Sequence, residues 1–473
     1  MGGNPFYLRG VWRMHEIRFN GAPMGPLSKR LREYRPLNQN RKVEEPKLKI
    51  LRIIAQRPYF TGSGINFINL AKQTREHGIE QYLIFGQPDD QDFPLQSIVG
   101  KDHTSWVTFQ GQGGSVGADL PFPVAGMSDQ MPYRSTKFSD FTAPMLESYL
   151  AAFEAKIREA VVSFRPNVIH SHHLWLVTAL SRVLLPELPM VATCHNTALR
   201  QMKLAPQLKP IVAATIRDMD AIAVQTTNQI QRIRSLYKFS DLPLPAPKFH
   251  VVGQGINTDL FYSRKRKAKE GTENSDRRSL IYVGKLSYSK GVLQLLEAFK
   301  EVIREVPYEC HLYLAGSGEG PEKEMIIREA QQHPDRIHLL GQLSQEDLAA
   351  YFRKCDIFVL PSFYDSLPKV LFESLACGCR AIITDLPGIR ESVEAGLGAF
   401  SAVSFIPRPK MRTIDEPEQS ALPQFVHELK ERIKAQLTPH DKQDLSEKVK
   451  KEYGKKGLFR KYLTIYRSFL KTS

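Results

Sequence analysis

The 473-residue chain has no apolar run near the roughly 18–20 residues a helix needs to cross a bilayer. Its N-terminus has no short apolar core flanked by a small-residue cleavage site, so no secretory leader is evident. It opens Met-Gly, but Phe6 occupies the position where myristoylation needs Ser or Thr. Cysteine is scarce, at five residues, and Cys377 and Cys379 have neither redox nor zinc spacing. Reduced, buried thiols in a cytosolic protein are the expectation. Acidic residues are the scarcer charge, and the formal net charge is +15. The first 49 residues hold eleven Lys/Arg against four Glu, and residues 446–473 hold nine against two. The middle is therefore nearly neutral, which argues against a nucleic-acid groove through the fold. The basic ends fit either contact with anionic lipid at the inner face of a membrane or simple solvation.

What is present reads as alternating strands and helices. Residues 1–46 form a basic, Pro/Gly-punctuated extension without sustained periodicity. A first domain spans 47–262, a charged linker covers 263–278, a second domain spans 279–440, and 441–473 reads as a basic amphipathic helix. Alternation of this kind predicts α/β domains with parallel sheets.

The richest stretch runs from Phe358 to Gly388. The apolar run Ile357 to Leu360 reads as a buried strand, Pro361 to Pro368 as a loop, the next segment to Cys377 as a helix, and Arg380 to Thr384 as another strand. Asp365 stands at the helix entrance and Glu373 about one turn inside it. Alone, such a pair could cap the helix and offset its dipole. Another strand, ending at Gly284, leads into a loop with Lys285 and Lys290 before a helix. Two ammonium groups beside free N–H groups suit a diphosphate, although loop lysines are often only solvated.

In the first half, Leu48 to Ala55 reads as a strand, followed by Gly62-Ser63-Gly64 and a helix from about Ile65 to Glu76. The third glycine of a dinucleotide fingerprint is missing, and the next strand, Gln81 to Gly86, lacks the acidic residue that would hold a ribose. Residues 87–140 read as a long, partly irregular insertion. Two strands end in histidines, at His170-Ser171-His172-His173 and at His195. Neighbouring residues of a strand face opposite sides, which disfavours a metal centre there. A lone buried histidine is the plainer reading for each.

The order of these segments resembles the family 4 (group 1) glycosyltransferases. Their signature has two acids with seven residues between them, within PSxYEGLPLVLLEALACG. Here it reads Pro361-Ser362-Phe363-Tyr364-Asp365-Ser366-Leu367-Pro368, then Glu373-Ser374-Leu375-Ala376-Cys377-Gly378, with Asp365 for the first Glu and Ser366 for the usual glycine. Lys285 stands where the family has arginine, which grips phosphate in a bidentate way that lysine cannot. The resemblance covers about residues 48–400 and the last helix.

It implies the GT-B architecture: two Rossmann-like domains facing a cleft, with the C-terminal helix crossing back onto the first. It implies transfer of a sugar from a nucleotide-diphosphate sugar to an acceptor hydroxyl with retained configuration, without metal or cofactor. Gly64, Gly284, Lys285, Lys290, Pro368, Lys369 and Val370 would hold the diphosphate, and Glu373 the ribose. Asp365 would hold sugar hydroxyls, His195 would orient sugar or acceptor, and His172 would line the acceptor side. A saccharide or lipid-linked acceptor and a cytoplasmic setting follow from the same likeness. The alternatives are a nucleotide-sugar 2-epimerase and a non-catalytic binder of the same fold.

Overall fold

In the computed structural model, residues 47–470 are described except 91–94, 96–97, 113–116, 129–130, 240–247, 264–276, 366, 399–401, 414 and 439–444. Before them only 18–19 and 22–23 are described, so nearly all of the basic extension lies outside the described residues. The chain divides into two compact units, 1–252 with 459–473, and 253–458.

The first unit is built on seven strands: β1 (Lys49–Ile53), β2 (Glu80–Pro88), β3 (Thr104–Phe109), β4 (Val168–His172), β5 (Met190–Thr193), β6 (Ala221–Val224) and β7 (Lys248–Val251). Their order across the sheet is β7-β6-β5-β4-β1-β2-β3, and every pair is parallel. Helices connect them: α1 (Gly62–Glu76), α2 (Ala143–Phe164), α3 (Leu176–Leu184), α4 (Asn196–Leu204), α5 (Lys209–Ile216) and α6 (Thr227–Leu236). A parallel sheet covered on both faces needs near-continuous apolar strands. β5 and β6 are such strands, buried at every residue.

One expectation shifts here. Helix α1 begins at Gly62, because the Thr61 hydroxyl accepts from Gly64 N at 3.1 Å and caps the first turn. The segment 87–140, partly irregular as expected, also contributes β3 as an edge of the sheet.

The second unit repeats the plan with β8 (Arg277–Val283), β9 (Glu309–Ala315), β10 (Ile337–Gly341), β11 (Ile357–Leu360), β12 (Arg380–Thr384) and β13 (Val403–Ile406). The order is β10-β9-β8-β11-β12-β13, again all parallel. Its helices are α7 (Val292–Glu305), α8 (Gly320–Ala330), α9 (Gln345–Lys354), α10 (Lys369–Ala376), α11 (Ile389–Leu397), α12 (Leu422–Leu437) and α13 (Ser446–Tyr453). A final helix, α14 (Lys455–Leu470), follows.

The C-terminal segment expected as one helix is thus two. A Cβ on Gly454 would lie 2.3 Å from the Lys450 carbonyl, so the chain bends there on a residue without a side chain. Helix α13 stays in the second unit, where Tyr453 stacks on Phe372 at 3.9 Å. The division between units falls at 252, earlier than the expected 262. Ile256 N donates to Tyr453 O at 2.8 Å, and Phe261 is buried beside Phe352, so these residues belong to the second core.

Residues from Phe459 onward belong to the first unit. Arg52, midway along β1, is fully buried. Its guanidinium donates to His170 Nδ1 at 2.6 Å, to the Tyr466 hydroxyl at 3.3 Å and to Thr74 Oγ1 at 3.0 Å. Because arginine only donates, His170 Nδ1 must accept, which leaves Nε2–H to donate to Thr193 Oγ1 at 2.7 Å. Thr193 in turn bonds the Tyr462 hydroxyl at 2.8 Å. A buried cation is thereby solvated by hydroxyls and an imidazole, and the last helix supplies one of those groups, the Tyr466 hydroxyl. Tyr466→Phe should therefore lower stability by about 1–3 kcal/mol, read as a fall in the urea midpoint; an unchanged midpoint would mean the hydroxyl contributes nothing.

Candidate functional site

Loops at the carboxyl ends of parallel strands diverge where the strand order reverses, and ligands settle in that gap. In the second unit the reversal lies between β8 and β11, and in the first between β1 and β4. The sequence-predicted residues cluster at these ends.

In the second unit, three loops are held against each other by close backbone contact. A Cβ on Gly316, whose φ is +147°, would fall 1.8 Å from the Gly284 carbonyl. A Cβ on Gly291, φ +65°, would fall 2.1 Å from the Pro361 carbonyl. Phe363 N also donates to Ser289 O at 2.9 Å. No side chain fits at either glycine, so the β8, β9 and β11 loops meet only because both lack one.

A hollow of about 340 Å³ opens beside them, lined by Gly284, Lys285, Gly318 and Gln342 among others. Lys285 is exposed there, and its carbonyl accepts from the Tyr282 hydroxyl at 2.7 Å. Lys290 Nζ lies 2.8 Å from Asp365 Oδ2 and donates to the Tyr364 carbonyl at 3.2 Å. Pro368 occupies the cap position of α10 without a side-chain cap, followed by Lys369 and Val370 in the first turn. The first N–H groups of that helix have no partner within it. Glu373 is buried, and burial raises its pKa above the ordinary carboxylate value, while the Lys369 ammonium 3.4 Å away pulls it down.

In the first unit, Gly64 packs on the loop before it: a Cβ there would lie 2.9 Å from the Arg57 carbonyl and 3.1 Å from Tyr59 N. His172 and His195 are brought together, with Nδ1 and Nε2 3.2 Å apart and the rings stacked at 5.5 Å. His170 stacks on the other side of His172 at 4.7 Å. All are buried, and burial drives their pKa values down, His195 to about 4. At neutral pH the pair is uncharged, and one nitrogen donates to the other.

Sequence reasoning missed three features. His173 carries a positive φ of 70° and lies 4.8 Å from His195, with neither ring nitrogen hydrogen-bonded. The run of histidines flagged the place but not the strain. The Lys290–Asp365 and Lys369–Glu373 pairs were also missed. The second follows i,i+4 helical spacing and was readable; the first joins distant loops and was not.

The histidine cluster makes a pH prediction. Unfolded histidine titrates near 6.5, whereas His195 titrates near 4 in the fold. Its contribution to stability is complete above about pH 6.5 and is lost as pH falls towards 4, with a slope of up to about 1.4 kcal/mol per pH unit per proton. Melting temperature should fall over that window, and less steeply in His195→Gln. Equal slopes in both proteins would contradict a buried neutral His195.

Two family profiles match the chain, Glycosyltransferase Family 4 over residues 61–260 and Glycosyl transferases group 1 over residues 263–405. The chain is 26% identical over 293 residues to a glycogen synthase of Mycobacterium tuberculosis, covering 59% of this chain and 67% of that protein. It is 23% identical to the N-acetyl-alpha-D-glucosaminyl L-malate synthase of Bacillus anthracis, covering 59% of this chain and 72% of that protein. Among solved structures, a sucrose-phosphate synthase from Thermosynechococcus elongatus superposes with a TM-score of 0.58 at 17% identity, covering 90% of this chain and all of that one. HepE from Anabaena, in complex with UDP and glucose, superposes at 0.51 and 15% identity, covering 89% of this chain and all of that one. The two profiles fall in sequence on the two units and the solved structures share their fold: the chain belongs to the family 4, group 1 glycosyltransferases and has the GT-B fold.

Proposed function

We propose that the protein transfers a sugar from a nucleotide-diphosphate sugar to an acceptor hydroxyl, with retention of anomeric configuration and without a metal. The observation that carries this reading is the β8–α7 and β11–α10 loop pair. It gathers two lysines and an uncapped helix start, and its β8 loop, through Gly284 and Lys285, lines a hollow of about 340 Å³. That is the electrostatic complement of a diphosphate.

In the reaction, the bond between the anomeric carbon and the β-phosphate oxygen breaks. Lys285, Lys290 and the N–H groups at Lys369 and Val370 take up the charge that develops on the leaving diphosphate. Glu373 bonds the ribose hydroxyls, and its burial keeps water from competing. Asp365 pairs with Lys290 and turns to sugar hydroxyls when the diphosphate takes the ammonium over. The acceptor oxygen bonds to the anomeric carbon on the face the diphosphate leaves, and its proton passes to the departing phosphate oxygen. Neutral His195, backed by His172, orients the sugar or acceptor by hydrogen bonding. Both sides of the reaction balance without a protein nucleophile.

A cytoplasmic role in assembling cell-surface polysaccharide, lipopolysaccharide or glycolipid fits the reading, with the basic ends resting on anionic lipid. No described helix is long and apolar enough to cross a membrane, so a lipid-linked acceptor would be met at a surface.

The test is thermal melting with a panel of nucleotide diphosphates, for the wild type and for Lys290→Ala and Glu373→Ala. Ligand at about 100 times its dissociation constant stabilises by roughly 2.7 kcal/mol. One nucleotide diphosphate should raise the melting temperature, and both variants should lose most of that rise. If none does so, or if NAD does instead, the transferase reading fails.

A further inference from the structure

We propose that Lys369 is a positioning residue for the donor's ribose: its ammonium keeps the buried Glu373 carboxyl ionised and aimed, as an acceptor for two ribose hydroxyls. The word ribose rests on the transferase reading above; the pairing of the two side chains does not. Lys369 stands where the family signature PSxYEGLPLVLLEALACG has leucine, so the signature itself does not supply this partner.

Helix geometry makes the pair. Glu373 lies four residues after Lys369 on α10, so the two side chains share one face. Lys369 Nζ lies 3.4 Å from Glu373 Oε1, with the glutamate side chain 5% exposed and the lysine side chain 34%. The lysine therefore reaches from the surface to a carboxyl in the interior. Phe372, just before Glu373, is buried and stacks on Tyr453 at 3.9 Å. Ser374, just after it, donates to the Leu371 carbonyl at 2.8 Å. The backbone that carries the carboxyl is thus held in place on both sides.

A buried carboxylate is costly unless a cation or hydrogen-bond donors answer it. Burial raises the Glu373 pKa, and Lys369 is the charged group that lowers it among the described residues. The elements packed on α10 include α9, α13 and β12. Arg353 of α9 acts on Cys377, donates to the Leu260 carbonyl at 3.0 Å and lies 5.1 Å from the centre of the Tyr262 ring. Arg380 of β12 is balanced by Asp356. From α13, Tyr453 donates its hydroxyl to the Ser392 carbonyl at 2.6 Å, and Glu452 acts on Tyr453. The other charges of α13, Glu447, Lys448, Lys450 and Lys451, are exposed. Cys377, at the end of α10, has its thiol pushed up to about 12 and carries no charge at neutral pH.

Ionisation matters because of what a ribose offers. Its two hydroxyls both donate when they meet a carboxylate, which has about four acceptor sites. The ammonium takes one of them on Oε1, and the rest remain. A protonated carboxyl gains a donor and loses acceptors, so it no longer matches two donors.

The experiment is calorimetric titration of the full chain with UDP and GDP and with their 2′,3′-dideoxy analogues. It spans about pH 5.5–9, which reaches the highest values seen for buried glutamates. Each analogue carries the same diphosphate, so the ratio of the two dissociation constants isolates the ribose. At neutral pH that ratio should be about tenfold smaller in Lys369→Met than in the wild type, the size of one hydrogen bond to a charged group. The variant should regain it as pH rises, because a carboxyl that has lost its cation ionises at higher pH. Lys369→Arg should keep most of the wild-type ratio. In Glu373→Gln the ratio should be small at every pH, and adding Lys369→Met should change nothing further.

The protein without ligand gives a second readout. The unfolded carboxyl titrates near about 4.3 and the folded one higher. It therefore favours folding below that range, and the benefit is lost as pH rises through the folded value. In Lys369→Met this loss, read as the urea midpoint, should extend to higher pH. Parallel midpoint profiles, or equal ratios in wild type and Lys369→Met, would overturn the role of Lys369. So would a loss shared equally by ribose and dideoxy nucleotide, since the ammonium would then meet the diphosphate. No nucleotide binding by the wild type would overturn the transferase reading as well.

Discussion

A parallel sheet delivers all of its loops to one edge, and everything functional in this chain depends on that constraint. In each unit the strand order turns back on itself beside the first strand, so the loops on either side part and leave a gap. The gap is useful only if the loops around it stay close, and in the second unit glycine makes that possible. At Gly291 and Gly316 a single methyl group would collide with a neighbouring carbonyl. The lysines, the uncapped helix start and the buried glutamate owe their positions to that backbone contact.

The two units treat charge in opposite ways. The second keeps its charges in pairs, Lys290 with Asp365 within reach of solvent and Lys369 with the buried Glu373. The first pair is cheap to open, because part of what is lost returns as hydration and an arriving phosphate replaces the carboxylate. The first unit buries its polar groups and removes their charge: four histidines stay neutral, and Arg52 is solvated by hydroxyls and an imidazole. One unit is suited to holding a polyanion, the other to orienting neutral hydroxyls at fixed positions.

Much of this was legible in the sequence. Ile357 to Leu360 and Arg380 to Thr384 are strands because their apolar runs can be satisfied only by burial on both faces. The ordered motifs identified the family before any coordinate was known, and the lysines and the acidic residues do stand at the strand ends. What was not legible depends on the third dimension. The strand Thr104–Phe109 was hidden because an edge strand is half exposed, and its Thr104, Ser105 and Thr108 break the apolar run. The division at 252 depends on which core Phe261 joins, and no local pattern states that. Lys290 and Asp365 belong to separate loops. Residue types alone could not pair them.

The central claim is that the paired charges of the second unit hold a diphosphate. The most direct measurement is a crystal structure with whichever of UDP or GDP binds more tightly. The account predicts the β-phosphate within hydrogen-bond distance of Lys290 Nζ and the first N–H groups of the helix at Lys369, with the Lys290–Asp365 pair opened. A nucleotide seated elsewhere, or a diphosphate bound while that pair stays closed, would contradict it.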